Sequence, residues 1–157
     1  MLPQTILIIA ATEGELSPAR ELLGGSSENI SFAATGAGKV STAISTLELT
    51  RQLRPEWIIQ LGCAGAYPGS SLGIADVAIA NAEIFADEGV ETPEGFLSMK
   101  DLELPQASRD GELIFNEVPV DFPTTETIQE IRSSLGQQSR IEAGLFCTVS
   151  LGSGTDA

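Results

Sequence analysis

Five apolar runs limit what this chain can fold into. "TILIIAA" (5–11), "ISFAATG" (30–36), "EWIIQLGCAGA" (56–66), "IADVAIANAEIF" (74–85) and "AGLFCTVSLG" (143–152) are short and nearly unbroken by charge. Such runs suit strands covered on both faces, as in a sheet with helices above and below. Between them the apolar period changes to that of a helix. In "EGELSPARELLGG", Leu16, Ala19, Leu22 and Leu23 fall at helical spacing, and Gly24-Gly25 is a stop signal. Pro18 fits best in a first turn, so this helix is expected to start near Leu16 or Ser17. A second stripe, Val40, Ala43, Ile44, Leu47 and Leu53, ends before Pro55. "TTETIQEIRSSLG" (124–136) predicts a third helix, with a threonine cap and Gly136 as its stop. Residues 86–123 are rich in Glu, Asp, Gly and Pro, and a connection of that length is expected to be functional or to hold small elements of its own.

This order predicts an α/β fold, a three-layer α/β/α sandwich around a central mixed sheet. In such folds ligands sit beyond the carboxyl ends of the strands. A length of 157 residues is expected to form one domain, 1–157. The longest apolar runs are too short to span a bilayer, and "MLPQ" has no positive charge of a secretory leader, so a cytoplasmic location is expected with no membrane partner.

The formal charge of −14, from 8 basic and 22 acidic side chains, would repel a polyanion, which argues against a nucleic-acid partner. The chain contains no histidine, and its two cysteines, Cys63 and Cys147, have no metal-ligand spacing. Histidine-dependent triads and histidine-ligated metals are thereby excluded, and neither a metal nor a cofactor is expected. Catalysis must rest on carboxylates, hydroxyls, backbone amides or a lysine.

"AATGAGKVSTA" (33–43) superficially suggests a phosphate loop. A P-loop requires G-x-x-x-x-G-K-[ST], but Ala33 stands where its first glycine belongs and Val40 follows Lys39. The dinucleotide fingerprint fails as well, since the third position is Ser41. The stretch reads instead as a strand-to-helix turn in which Gly36 and Gly38 take unusual backbone angles.

"ILIIAATEGEL", "TGAGKVSTA", "WIIQLGCAGAYPGSSLGIADVAIANAEIFADEGVETPEGF" and "GLFCTVS" resemble, in order and spacing, the purine nucleosidases of the nucleoside phosphorylase superfamily. The likeness to methylthioadenosine/S-adenosylhomocysteine nucleosidases is general. "GAYPGS", "GVETPEGF" and "TVS" look more like the futalosine hydrolases, which release hypoxanthine from futalosine in menaquinone biosynthesis. The resemblance implies hydrolysis of an N-ribosidic bond, with a purine nucleoside as ligand and a homodimer or higher homo-oligomer as the assembly. It makes Glu15 the catalytic base, with Glu13 as its nearby competitor. It makes Ala11 a substrate-binding residue and places Cys63, Ala64 and Gly65 on the ribose side of the pocket and Thr148 and Ser150 toward the base. Cys63 is read as pocket backbone where relatives often have serine, with a buried structural cysteine as the other reading.

The family's ribose-binding Met-Glu helix and its purine-protonating aspartate have no counterpart here, so the chain reads as C-terminally incomplete. Three alternatives follow: a futalosine hydrolase, another nucleosidase or phosphorylase of the methylthioadenosine/S-adenosylhomocysteine type, or an inactive nucleoside-binding remnant.

Overall fold

The computed structural model describes residues 5–120, 125–135 and 140–152. The chain divides into two compact units, Met1–Gly65 and Ala66–Ala157.

The first unit alternates β1 (Ile6–Ala10), α1 (Glu13–Leu22), β2 (Ile30–Ala34), α2 (Lys39–Leu53) and β3 (Trp57–Leu61). The strands form a parallel sheet in the order β2-β1-β3, with Ile8 of β1 opposite Phe32 on one side and Ile59 on the other. As the central strand, β1 is covered on both faces: Leu7, Ile8, Ile9 and Ala10 are all buried. Ile8 and Ala10 pack with the fully buried Leu16 of α1, and Ile6, Ile30, Phe32 and Leu61 close around them. Burying a leucine of this kind contributes about 1.5–3 kcal/mol. Arg20 adds a guanidinium 5.7 Å from the centre of the Phe32 ring.

Helix α1 starts at Glu13, earlier than Pro18 suggested. Thr12 and Glu15 form a reciprocal capping box, which nucleates the helix one turn ahead of the proline. Pro18 cannot donate to the Gly14 carbonyl, the acceptor four residues back, and the Ser17 hydroxyl reaches that oxygen at 3.5 Å instead.

The turn into α2 follows the sequence reading. Gly36 and Gly38 have φ of 84° and 95°, angles that a side chain would strain, and Gly38 caps α2 without a side-chain hydrogen bond. At the other end Arg54 takes a left-handed φ of 48° and stops the helix before Pro55. The expected apolar stripe of α2 is not a core face: Val40, Ile44 and Leu47 are exposed. Hydroxyls orient this helix, because Thr42 donates to the Gly36 carbonyl at 3.2 Å and Ser45 to the Thr35 carbonyl at 3.0 Å.

The second unit contains β4 (Val77–Phe85), β5 (Gly89–Thr92), β6 (Gly95–Ser98), β7 (Ala107–Arg109), β8 (Glu112–Ile114), β9 (Glu117–Pro119), α3 (Thr125–Leu135) and β10 (Ile141–Thr148). Strand β4 pairs parallel with β10 and antiparallel with β9, so this sheet is mixed. The register slips by one residue between Gly144 and Leu145. Two hairpins, β5-β6 and β7-β8, occupy the stretch expected to hold small elements. The second turns through Asp110-Gly111, both with positive φ, as a two-residue hairpin loop demands.

Buried Asn116 ties this unit together. Its amide donates to the Phe85 and Glu88 carbonyls at 2.9 and 2.7 Å and accepts the Met99 N–H at 2.8 Å. Asp76 anchors the other end of β4, accepting the N–H groups of Gly73 and Arg140, each at 2.8 Å. The expected cap at Thr124 and stop at Gly136 lie outside the described residues. Among the described residues no helix is long and apolar enough to cross a membrane.

Candidate active site

The carboxyl ends of β1, β2 and β3 come together at one edge of the first unit's sheet because the three strands run parallel and adjacent. Buried Thr35 clamps two of them, its N–H and hydroxyl both donating to the Ala10 carbonyl, at 2.9 and 3.2 Å. One residue further on, Gly36 N–H donates to the Ala11 carbonyl at 3.1 Å. Ala11 is therefore held by its main chain, where α1 is about to begin.

Glu15 stands on the first turn of α1, at this same edge. Its Oε2 accepts two hydrogen bonds from Thr12, from the main-chain N–H at 3.0 Å and from the hydroxyl at 2.8 Å. The hydroxyl in turn accepts the Glu15 N–H at 3.3 Å. The other carboxylate oxygen, Oε1, accepts the Cys63 N–H at 3.2 Å, from the segment leaving β3. Gly62 leaves that approach unhindered: a Cβ there would lie 3.2 Å from Oε1, and the carboxylate would have to give by a few tenths of an ångström.

These bonds hold the Glu15 carboxyl below its ordinary pKa. The Thr12 hydroxyl is the main cause and the Cys63 N–H the next; partial desolvation opposes them, and the Thr12 N–H adds to them. The group is a carboxylate at neutral pH. Oε2 is occupied by two donors, whereas Oε1 has one and keeps a lone pair for a water or a hydroxyl. Glu13, the competitor, is engaged by Arg20 at 2.7 Å instead.

The structure thus brings Glu15 and Cys63 into direct contact, at the strand ends where Ala11 also lies. Cys63 is exposed and free, so the reading of it as a buried structural cysteine does not hold. Ala64 and Gly65 follow in the same exposed segment. Thr148 and Ser150 belong to the second unit, at the carboxyl end of β10. There Thr148 donates its hydroxyl to Glu83 Oε1 at 2.7 Å, and Ser150 donates its N–H to Asp87 Oδ2 at 2.5 Å.

Two residues of this site, Thr12 and Gly62, are not among those that sequence reasoning singles out. Thr12-Glu13-Gly14-Glu15 is a T-x-x-E capping signature, and that spacing is enough to pair Thr12 with Glu15. Gly62 has no comparable signal, because its close neighbour is 47 residues earlier in the chain.

Residues 5–151 match the Phosphorylase superfamily, and the chain belongs to that family. Over 56 residues it is 39% identical to the 5′-methylthioadenosine/S-adenosylhomocysteine nucleosidase of Geobacillus sp. strain WCH70, a match covering 36% of this chain and 24% of that one. Its fold is similar to a Francisella philomiragia structure assigned to the same nucleosidase type, with TM-score 0.67 and 16% identity over 94% of this chain and 65% of the other. A futalosine hydrolase mutant of Helicobacter pylori strain 26695 is similar at TM-score 0.66 and 18% identity, over 98% of this chain and 70% of the other. The chain therefore spans about two thirds of the length of these solved structures. At such identities the structural likeness establishes the α/β fold.

Proposed function

We propose that this protein hydrolyses the N-ribosidic bond of a purine nucleoside, with Glu15 as the base that receives a proton from the attacking water. The observation that carries this reading is the Glu15 carboxylate, held ionised at the ends of parallel strands with one oxygen that takes a single donor and keeps a lone pair. Glycosidic cleavage passes through an oxocarbenium-like sugar, so a fixed negative charge nearby lowers the barrier. A carboxylate of reduced basicity suits this order of events, because water bonding to a sugar cation becomes acidic as it attacks. The proton then passes to Oε1 without a strong base being needed.

In this reading Ala11 is a substrate-binding residue, and Cys63, Ala64 and Gly65 line the ribose side. Thr148 and Ser150 are proposed contacts to the base on the resemblance alone, as are a homodimeric or higher assembly and a cytoplasmic location. Futalosine is the proposed substrate, and menaquinone biosynthesis the pathway the reaction would serve. The "GAYPGS" and "GVETPEGF" stretches support it; the latter forms the β5-β6 hairpin. A second reading, methylthioadenosine or S-adenosylhomocysteine as substrate, is favoured by the 39% local identity to the Geobacillus enzyme.

The deciding experiment incubates the protein, expressed from its full reading frame, with futalosine or methylthioadenosine, with and without phosphate, and identifies the released base and sugar. Phosphate-independent release of hypoxanthine from futalosine is expected. Release of adenine from methylthioadenosine alone would transfer the assignment to the second reading. A sugar phosphate as product would make the protein a phosphorylase, and binding without turnover would make it a nucleoside-binding protein.

A further inference from the structure

The Thr12 side chain sits against the reacting group on one side and the start of α1 on the other. Its single hydroxyl proton is committed to Glu15 Oε2 at 2.8 Å, while its oxygen accepts the Glu15 N–H at 3.3 Å. Its main-chain N–H meets the same Oε2 at 3.0 Å. A carboxylate held on one oxygen by two donors from one residue cannot rotate without breaking both. Its second oxygen is thereby directed to the Cys63 N–H at 3.2 Å.

We propose that Thr12 is a positioning residue for the reaction: it occupies Oε2, and so makes Oε1, beside the Cys63 N–H, the oxygen that addresses the attacking water. The assignment rests on Glu15 being the base. Helix capping and base orientation then share one side chain, and the two roles separate chemically. Capping requires only an oxygen that accepts the Glu15 N–H, which aspartate supplies as well as threonine does. Orientation requires a donor to Oε2, which an ionised aspartate lacks. Glu13, two residues before Glu15 in the chain, is bound to Arg20 at 2.7 Å, and Cys63 meets Glu15 through its main chain.

The test compares Thr12→Ser with Thr12→Asp in the full-length protein. Two quantities are read: the Glu15 side-chain carboxyl titration by ¹³C NMR, and the steady-state hydrolysis of futalosine or methylthioadenosine. T12S is expected to keep the Glu15 midpoint and the turnover of the unaltered protein. T12D is expected to keep the α1 helix but raise the Glu15 midpoint, since a like charge replaces a donor, and to lower kcat by about 100-fold with KM little changed. A T12D variant that matches T12S in both titration and turnover overturns the proposal. Should the unaltered protein cleave no nucleoside while T12D still raises the midpoint, the nucleosidase reading falls. The positioning role of Thr12 then falls with it, and the titration reports only that Thr12 lowers the Glu15 pKa.

Discussion

Each unit anchors carboxylate chemistry at the carboxyl end of a parallel strand pair, one side chain in the first and two in the second, by different routes. In the first, three of the four hydrogen bonds that fix Glu15 lie within one turn of helix, between Thr12 and Glu15, and the fourth comes from Cys63. In the second, Glu83 and Asp87 are held by Thr148 and Ser150, 65 and 63 residues further along the chain. The first arrangement is preorganised by the start of its own helix, and tertiary packing only adds to it. The two bonds named in the second join residues far apart in the chain and form only when β4 and β10 are paired. Preorganisation of this kind is what a catalytic carboxylate needs, because its orientation is then set before any substrate arrives.

The comparison can be broken most directly at Glu15. Glu15→Gln keeps the capping box, since glutamine also serves at that position, and removes the carboxylate proposed as the base. Nucleoside hydrolysis is expected to fall by about 100-fold to 10,000-fold with the fold intact, as read by steady-state assay and circular dichroism. Survival of most of the activity would mean that the locally anchored carboxylate is a helix cap and nothing more.

Next in size is the core beneath it. Leu16→Ala empties a fully buried position between α1 and β1 and is expected to cost about 2–5 kcal/mol in a urea melt. Thr148→Val in the second unit removes one partly buried hydroxyl donor and is expected to cost about 1–2 kcal/mol. If T148V proved as damaging as L16A, the long-range anchors of the second unit would matter more to stability than the first unit's core.

The smallest effect concerns pH. The Glu15 pKa is depressed in the folded protein, so its contribution to stability is fully present above the ordinary glutamate value of 4.5 and is lost as pH falls below it through the folded value. The acid limb of the stability curve, measured by denaturant melts across that range, is expected to be shallower in E15Q than in the unaltered protein. Asp76 is also depressed, through the Gly73 and Arg140 N–H groups, and leaves part of the acid limb intact in that variant.

Much of this architecture is legible in the apolar pattern. β1, β2, β3, β4 and β10 each fall at an apolar run, and α2 ends where Pro55 requires it to end. The start of α1 differs from the expectation because Pro18 and the T-x-x-E cap point to different first residues; the cap dominates, since it satisfies orphan amide groups one turn earlier. The short strands β5 to β9 are not legible because three- and four-residue strands carry too little alternation to read, although Asp110-Gly111 marks one of the turns. The stripe on α2 looks like a core face because periodicity reports a helix and not what the helix packs on.

By itself the sequence determined the alternation of strands and helices and the presence of a carboxylate just after the first strand. It also contained the Thr12–Glu15 cap, because bonds between residues three apart need only a turn of helix to form. Tertiary structure alone decided that Cys63 N–H would meet Glu15 Oε1, across 48 residues, and that Gly62 would leave room for it. That contact depends on β1 and β3 lying side by side and in register, which a linear pattern of apolar residues does not encode.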